Sequence, residues 1–204
     1  MGLNYYFLDV ETTGLKAGWH EISQISIIRH SDRNQLSEYI RVSHPERTTP
    51  EALTATGRTF ADLKKGISKE EVIEKCHKFL LSDGGTDEQR CIIAHNASFD
   101  RRFCYASWED IGKKFPASLW LDTMACAKYH LTRHMGLEKP SVKLDSCMDH
   151  YGLVKRGTSH NATVDTQNNY LLYEHLKKIS FDFLPYIKRV PHEAPKGPEL
   201  RDDL

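Results

Sequence analysis

Two carboxylates, Asp9 and Glu11, stand two residues apart at the close of an apolar run, NYYFLDV (residues 4–10). Side chains at i and i+2 of a strand leave the same face, so both acids project together. Carboxylates held side by side repel, and one keeps its proton unless a cation joins them. Hard oxygen donors in small number suit Mg²⁺ or Mn²⁺. A solvated strand end beside a turn explains the pair about as well. Asp100 follows a second apolar run, CIIAH (91–95), within AHNASFDRRF (94–103). It falls on the first turn of an expected helix, where the helix dipole favours an acid with or without a ligand. A third stretch, SHNATVDTQNN (159–169), sets His160 five residues before Asp165. A helix is expected to begin between them, which leaves the histidine on a loop above a helix-borne acid.

The elements that must position these groups can be read from hydrophobic periodicity. Residues 4–10, 21–30 and 36–42 read as three strands of an antiparallel meander. Residues 44–57, with two prolines, read as a loop. TFADLKKG suits a short helix stopped by Gly66, and the Ser68/Glu71 spacing starts a helix that runs to Leu81. Strand (91–95), helix (97–112), strand (118–122) and helix (123–134) follow, then helices over 142–151 and 161–178. This order predicts an α/β fold: a mixed sheet of three antiparallel strands followed by parallel strands, flanked by helices, in outline a ribonuclease H-like arrangement. The expected division is a domain over 1–180 and an irregular or flexible tail over 181–204.

Composition narrows the function classes. A chain of 204 residues, 39% hydrophobic, fits one domain with a real core. Lys+Arg and Asp+Glu both total 28, so a whole-molecule basic field is excluded, and nucleic acid would have to be held by a local groove or by metals. Five cysteines without a CxxC pair point to a reducing, intracellular, cytoplasmic setting. No leader and no apolar run of membrane-spanning length is visible, so no membrane partner is expected. His130 and His134, spaced i, i+4, read as surface histidines because no third or fourth zinc ligand is near in sequence. Arg101–Arg102 and Lys113–Lys114 read as solvated helix faces.

Taken together, the three acid-bearing stretches resemble the motifs of the DEDDh 3′–5′ exonuclease family, the group of ribonuclease T and the epsilon proofreading subunit of bacterial DNA polymerase III. FLDVETTGL is similar to its first motif, AHNASFDRRF to its second and HNATVD to its third, H-x-A-x-x-D. EISQISII, LDTMACAKYH and KLDSCMDHYGL resemble intermediate family segments, while LTRHMGLEKPSVK (131–143) is a longer, more charged connection. The resemblance covers residues 5 to about 178.

It implies hydrolysis of the terminal phosphodiester at the 3′ end of single-stranded nucleic acid, DNA favoured, with release of nucleoside 5′-monophosphates and two divalent cations, Mg²⁺ or Mn²⁺. An exoribonuclease is the alternative; a proofreading subunit or an inactive nucleic-acid-binding scaffold ranks below both. By the resemblance, Asp9 bridges both ions, Glu11 and Asp165 complete one site, and Asp100 serves the other. His160 is the general base, a role that suits imidazole near neutral pH. Backbone amides around Thr12 and Thr13 would bond the 3′-OH, with Gly14 allowing close approach. Leu15 would wedge beside the last base and Phe99 would stack on it. His95 and Asn96 would contact the same nucleotide or orient Asp100. Core roles for Leu15 and Phe99, and a helix cap at Asn96, are the structural alternatives. Trp19 and His20 lie near the expected entrance. A homodimer, or a polymerase or repair complex, is the protein partner class.

Overall fold

The first apolar run becomes β1 (Asn4–Thr12), and the fold is arranged around it. The computed structural model describes residues 2–192. β2 (Ile22–Arg29) pairs antiparallel with β1, and β3 (Gln35–Tyr39) antiparallel with β2. β4 (Arg90–Ala94) runs parallel to β1, and β5 (Leu119–Asp122) parallel to β4. This is the mixed sheet expected from the sequence. A further strand, β6 (Ile187–Arg189), lies antiparallel to β5 and gives the order β3-β2-β1-β4-β5-β6. The helices are α1 (Pro50–Thr56), α2 (Phe60–Leu63), α3 (Lys69–Leu81), α4 (Ala97–Glu109), α5 (Thr123–Tyr129), α6 (Leu144–His150) and α7 (Ala162–Lys178).

Alternation along β1 divides the core in two. Tyr6, Leu8 and Val10 enter a cluster with Val72, Ile73 and Cys76 of α3 and Phe103, Cys104 and Trp108 of α4. Phe7 faces the other way, into a cluster with α5, α6 and α7. There its ring meets Tyr170 and Tyr173 of α7 edge-on at 5.0 and 5.3 Å. Each such pair adds roughly 0.5–1.5 kcal/mol beyond its buried area, so β1 and α7 are fixed against each other. Asp9 and Glu11 continue the Phe7 side, toward the start of α7. All five cysteines are buried free thiols. No described helix is long and apolar enough to cross a membrane.

Three expectations are corrected. Residues 50–56, expected as loop, form α1: the Thr49 hydroxyl accepts from the Ala52 N–H, Pro50 fills the first turn and Gly57 closes the helix at φ +65°. The helix expected over 123–134 is α-helical only to Tyr129 and continues as a π-helical turn, His130–His134. Residues 181–192, expected as an irregular extension, are built into the domain. Phe183 stacks on Tyr173 at 4.5 Å, β6 pairs with β5, and His192 accepts the Phe115 N–H at 2.8 Å. Aromatic side chains, rather than strand propensity, anchor this segment. The remainder of the expected tail, 193–204, lies outside the described residues.

Candidate active site

β1 outruns its parallel neighbour. Its pairing with β4 ends at Phe7, while its pairing with β2 continues to Thr12. Beyond Phe7 the sheet edge is open, and Asp9 and Glu11 stand in the gap. The Val10 N–H, left without a strand partner there, donates to Asp100 Oδ1 at 3.2 Å. Asp100 belongs to the first turn of α4 and is 3% exposed. One bond thus satisfies a buried amide and aims a carboxylate at the end of β1.

From the other side comes the start of α7. Asn161 caps it by accepting from the Thr163 and Val164 N–H groups, and Asp165 sits in its first turn. His160 precedes the cap at φ +62°, a left-handed conformation uncommon outside glycine. Its own N–H donates to Asp165 Oδ2 at 2.8 Å. The kink and this bond place the exposed His160 ring beside the acids. Ligand atoms of Glu11, His160 and Asp165 all lie within 4.8 Å of one another. Gln24, opposite Glu11 in the β1–β2 register, anchors the assembly. Its amide donates to Asn161 Oδ1 and Thr163 Oγ1 at 3.3 and 3.2 Å and accepts the Ala162 N–H at 3.1 Å.

Asp9, Glu11, Asp100, His160 and Asp165 line one cavity of about 690 Å³. Its electrostatics are those of crowded acids. Burial, then the charges of Asp100, Glu11 and Asp165, hold the Asp9 carboxyl well above the usual range. Burial and Asp165 push Glu11 up to about 8, with Arg58 opposing. Asp100 rises to about 8 through burial, against its backbone hydrogen bonds and with Asp122 and Glu11 adding to it. Asp165 is raised by burial, which outweighs its bond from His160. Such a set gains from a divalent cation, to which the carboxylates offer hard oxygen donors.

The remaining sequence candidates fall into two groups. Thr12, Gly14, Leu15, His95 and Phe99 line the cavity. Leu15 is 79% exposed, so it is not a core residue. Phe99 is half-buried, with its ring 4.9 Å from that of Phe103. Gly14 lies against the His20 ring: a Cβ there would lie 2.5 Å from His20 Nε2. His95 forms a fixed wall, its Nε2–H donating to the Val142 carbonyl at 2.8 Å and its Nδ1 bonded to the Thr123 hydroxyl at 3.0 Å. Burial lowers its pKa, with the Val142 carbonyl and Asp122 opposing.

Thr13 and Asn96 are not brought to the cavity. Thr13 is buried, exchanging hydrogen bonds with Glu21 and accepting the Thr49 N–H at its carbonyl. Asn96 occupies the N-cap of α4 at φ +76°, but its side chain makes no capping bond. Sequence reading missed Lys16 and the α1 side of the cavity, which is lined by Thr49, Glu51, Ala52, Ala55 and Thr56. The cap, proline and glycine of α1 were the available signal. His20, expected at the entrance, lines the cavity with its Nδ1 accepting the Lys16 N–H at 3.0 Å.

Comparison with known proteins gives the family and the fold. An exonuclease family model, RNase_T, matches residues 6–173. The PolC-type DNA polymerase III of Thermotoga petrophila is 31% identical over 150 residues, which span 73% of this chain and 10% of that protein. The PolC-type enzyme of Latilactobacillus sakei is 26% identical over 171 residues, 83% of this chain and 11% of that protein. The chain therefore spans about a tenth of these curated relatives. Among solved structures, an E. coli exonuclease I–ssDNA complex superposes with TM-score 0.74 at 17% identity, over 91% of this chain and 43% of that one. Cell-death related nuclease 4 superposes with TM-score 0.71 at 15% identity, over 87% and 64%. The structural likenesses establish the ribonuclease H-like exonuclease fold, and the sequence match establishes the family: the chain belongs to the RNase T exonucleases, of the DEDDh type.

Proposed function

We propose that this protein is a metal-dependent 3′–5′ exonuclease that releases nucleoside 5′-monophosphates from single-stranded 3′ ends, DNA favoured. One observation carries the reading: Asp9, Glu11, Asp100, His160 and Asp165 converge on a single cavity in which all four carboxyls are held above their ordinary range. Asp9 would be shared between two Mg²⁺ or Mn²⁺ ions, with Glu11 and Asp165 at one and Asp100 at the other. When bound, the ions supply Lewis acidity to the phosphate and offset charge on the attacking and leaving oxygens. His160 takes a proton from the attacking water as the P–O3′ bond breaks, and the shortened strand leaves with a new 3′-hydroxyl. The main chain at Thr12 and Gly14 is the floor for the terminal sugar. Leu15 and Phe99 supply apolar faces for its base. A cavity of about 690 Å³ has room for the splayed terminal nucleotide that a single-stranded end supplies.

The same residues would cut RNA, since sugar choice rests on 2′-OH contacts rather than on the metals. The likeness to PolC-type polymerases favours a second reading, editing within a polymerase complex. A mispaired primer end hydrolysed only when a polymerase is added would support that reading. The direct test uses 5′-labelled DNA and RNA oligonucleotides, single- and double-stranded, with wild type, Asp9→Ala and His160→Ala. The expected result is a ladder shortened from the 3′ end by wild type alone, fastest on single-stranded DNA. Variants that degrade the strand as well as wild type would remove the site assignment.

A further inference from the structure

His160 is carried by the connection between α6 and α7, residues 151–161, which form neither helix nor strand. Such a segment has no ladder to fix it, so the side chains that take up its backbone groups decide where the imidazole stands. Two residues that do not line the cavity do this. Asn168, 1% exposed, grips Arg156: its Oδ1 accepts the Arg156 N–H at 2.8 Å and its Nδ2 donates to the Arg156 carbonyl at 3.4 Å. Asn168 lies three residues beyond Asp165, on the same face of α7. Asp145, in the first turn of α6, accepts at Oδ2 from the hydroxyl of Ser159, the residue before His160.

Between these two ties Gly157, at φ +61°, lies against Val164: a Cβ there would come 2.9 Å from Val164 Cγ2. The segment is thereby pressed onto the turn of α7 that carries Asp165. α6 is itself fixed to the cavity wall, because the Val142 carbonyl just ahead of it takes the His95 Nε2–H at 2.8 Å. The last link is the His160 N–H on Asp165. A left-handed residue other than glycine persists only where its surroundings hold it, and these ties hold His160 from both sides. Asp145 does this at an electrostatic cost: Asp165 is raised chiefly by burial, and the Asp145 charge adds to the rise.

Resting on the exonuclease reading above, with His160 as general base, we propose that Asp145 and Asn168 are positioning residues of the reaction. Acting through Ser159 and Arg156, they hold the His160 segment against α6 and α7, so that the imidazole stands beside the acids before a strand arrives.

The test is a mutant cycle with His160. Asp145→Ala and Asn168→Ala should each lower kcat on a single-stranded oligonucleotide about tenfold, with KM within about twofold, as for a base displaced by a fraction of an ångström. Asp145→Asn, which still accepts from Ser159, should return kcat to within about threefold of wild type. Added to His160→Ala, Asp145→Ala should change the residual rate, measured with enzyme in excess, by less than about twofold, because a misplaced base and an absent one are then equivalent. Amide exchange in EDTA reads the tether without activity: both alanine variants should speed exchange at His160 about tenfold and leave β1 and the middle of α7 as protected as in wild type. Unchanged kcat, equal losses with and without His160, or a loss in Asp145→Asn as large as in Asp145→Ala would overturn the proposal. Asp145, half-buried at a helix start, serves where Asn168→Ala fails to fold. A wild-type protein inactive on the strand would refute the exonuclease reading, whereas unchanged exchange at His160 would refute the tether by itself, which keeps the two failures apart.

Discussion

Glu11→Gln should make the metal-free protein more stable at alkaline pH while abolishing its activity. In the folded protein the Glu11 carboxyl is pushed up to about 8; in the unfolded chain it returns to its ordinary 4.5. Below pH 4.5 both states hold the proton and the shift has no effect. Above it the unfolded chain releases its proton first, so the unfolded state binds fewer protons and stability falls as pH rises, until the folded group also ionises near pH 8. At about 1.36 kcal/mol per pKa unit, the penalty is under about 1 kcal/mol at pH 5 and about 4 kcal/mol at pH 8. Glutamine has no charge to repel its neighbours, but its amide costs roughly 1–2 kcal/mol to desolvate there. The net gain is about 2–3 kcal/mol at pH 8, and about 2–4 °C per kcal/mol for a chain of this size makes it roughly 5–10 °C in Tm. The assay is thermal unfolding in EDTA at pH 5.5 and 8.5. Saturating Mn²⁺ should then restore the wild type more than the variant, by about 2.7 kcal/mol at a hundredfold excess over Kd. A variant no more stable than wild type at pH 8.5, or with the same difference at both pH values, would refute the account of crowded acids awaiting a cation.

Three further perturbations separate positioning from chemistry. Gln24→Ala removes the three hydrogen bonds that seat the start of α7 and leaves the buried Ala162 N–H unpaired. It should lower kcat about tenfold and raise the cation concentration for half-maximal rate, with KM for the oligonucleotide within twofold; a change in Tm alone would count against this role. Gly14→Ala must displace His20, since the new Cβ would lie 2.5 Å from its Nε2. Expected are a loss of about 1–3 kcal/mol in unfolding free energy and a severalfold rise in KM, read by denaturant titration and initial rates. Asp83→Ala removes the nearer carboxylate of the Arg90 guanidinium, 1% exposed and 2.7 Å away, and leaves it Asp87 at 3.5 Å, at the opposite end of β4 from the site. Tm should fall by the equivalent of about 1–3 kcal/mol, with kcat per folded molecule unchanged.

The parts legible in the sequence were those governed by local period. Asp9 and Glu11 stand out because the two-residue alternation of a strand gives them one direction. Asp100 and Asp165 stand out because each opens a helix, and the mixed sheet followed from the order of apolar runs. What failed was set by contacts distant in sequence. A register shift between Glu11 and Thr12 breaks the alternation, so Thr13 turns inward to Glu21 instead of reaching the cavity. α1 joins the site because the Thr49 N–H bonds to the Thr13 carbonyl, a tie that local periodicity does not carry. β6 is three residues, IKR, held by backbone pairing to β5 and by aromatic neighbours, without the apolar alternation that marks a strand. Asn96 sits at the N-cap as its type suggests, yet its left-handed backbone turns the side chain away from the helix amides.

The central claim, that these acids make a cation-dependent site acting from the 3′ end, is tested most directly with one strand labelled at either end. With Mn²⁺, wild-type protein should release the label of a 3′-labelled single strand at once as a mononucleotide, and should convert the 5′-labelled strand to a descending ladder. EDTA should stop both, and Asp9→Ala should show neither. Early release of mononucleotide from the 5′ end, internal cuts, or undiminished hydrolysis in EDTA would contradict it.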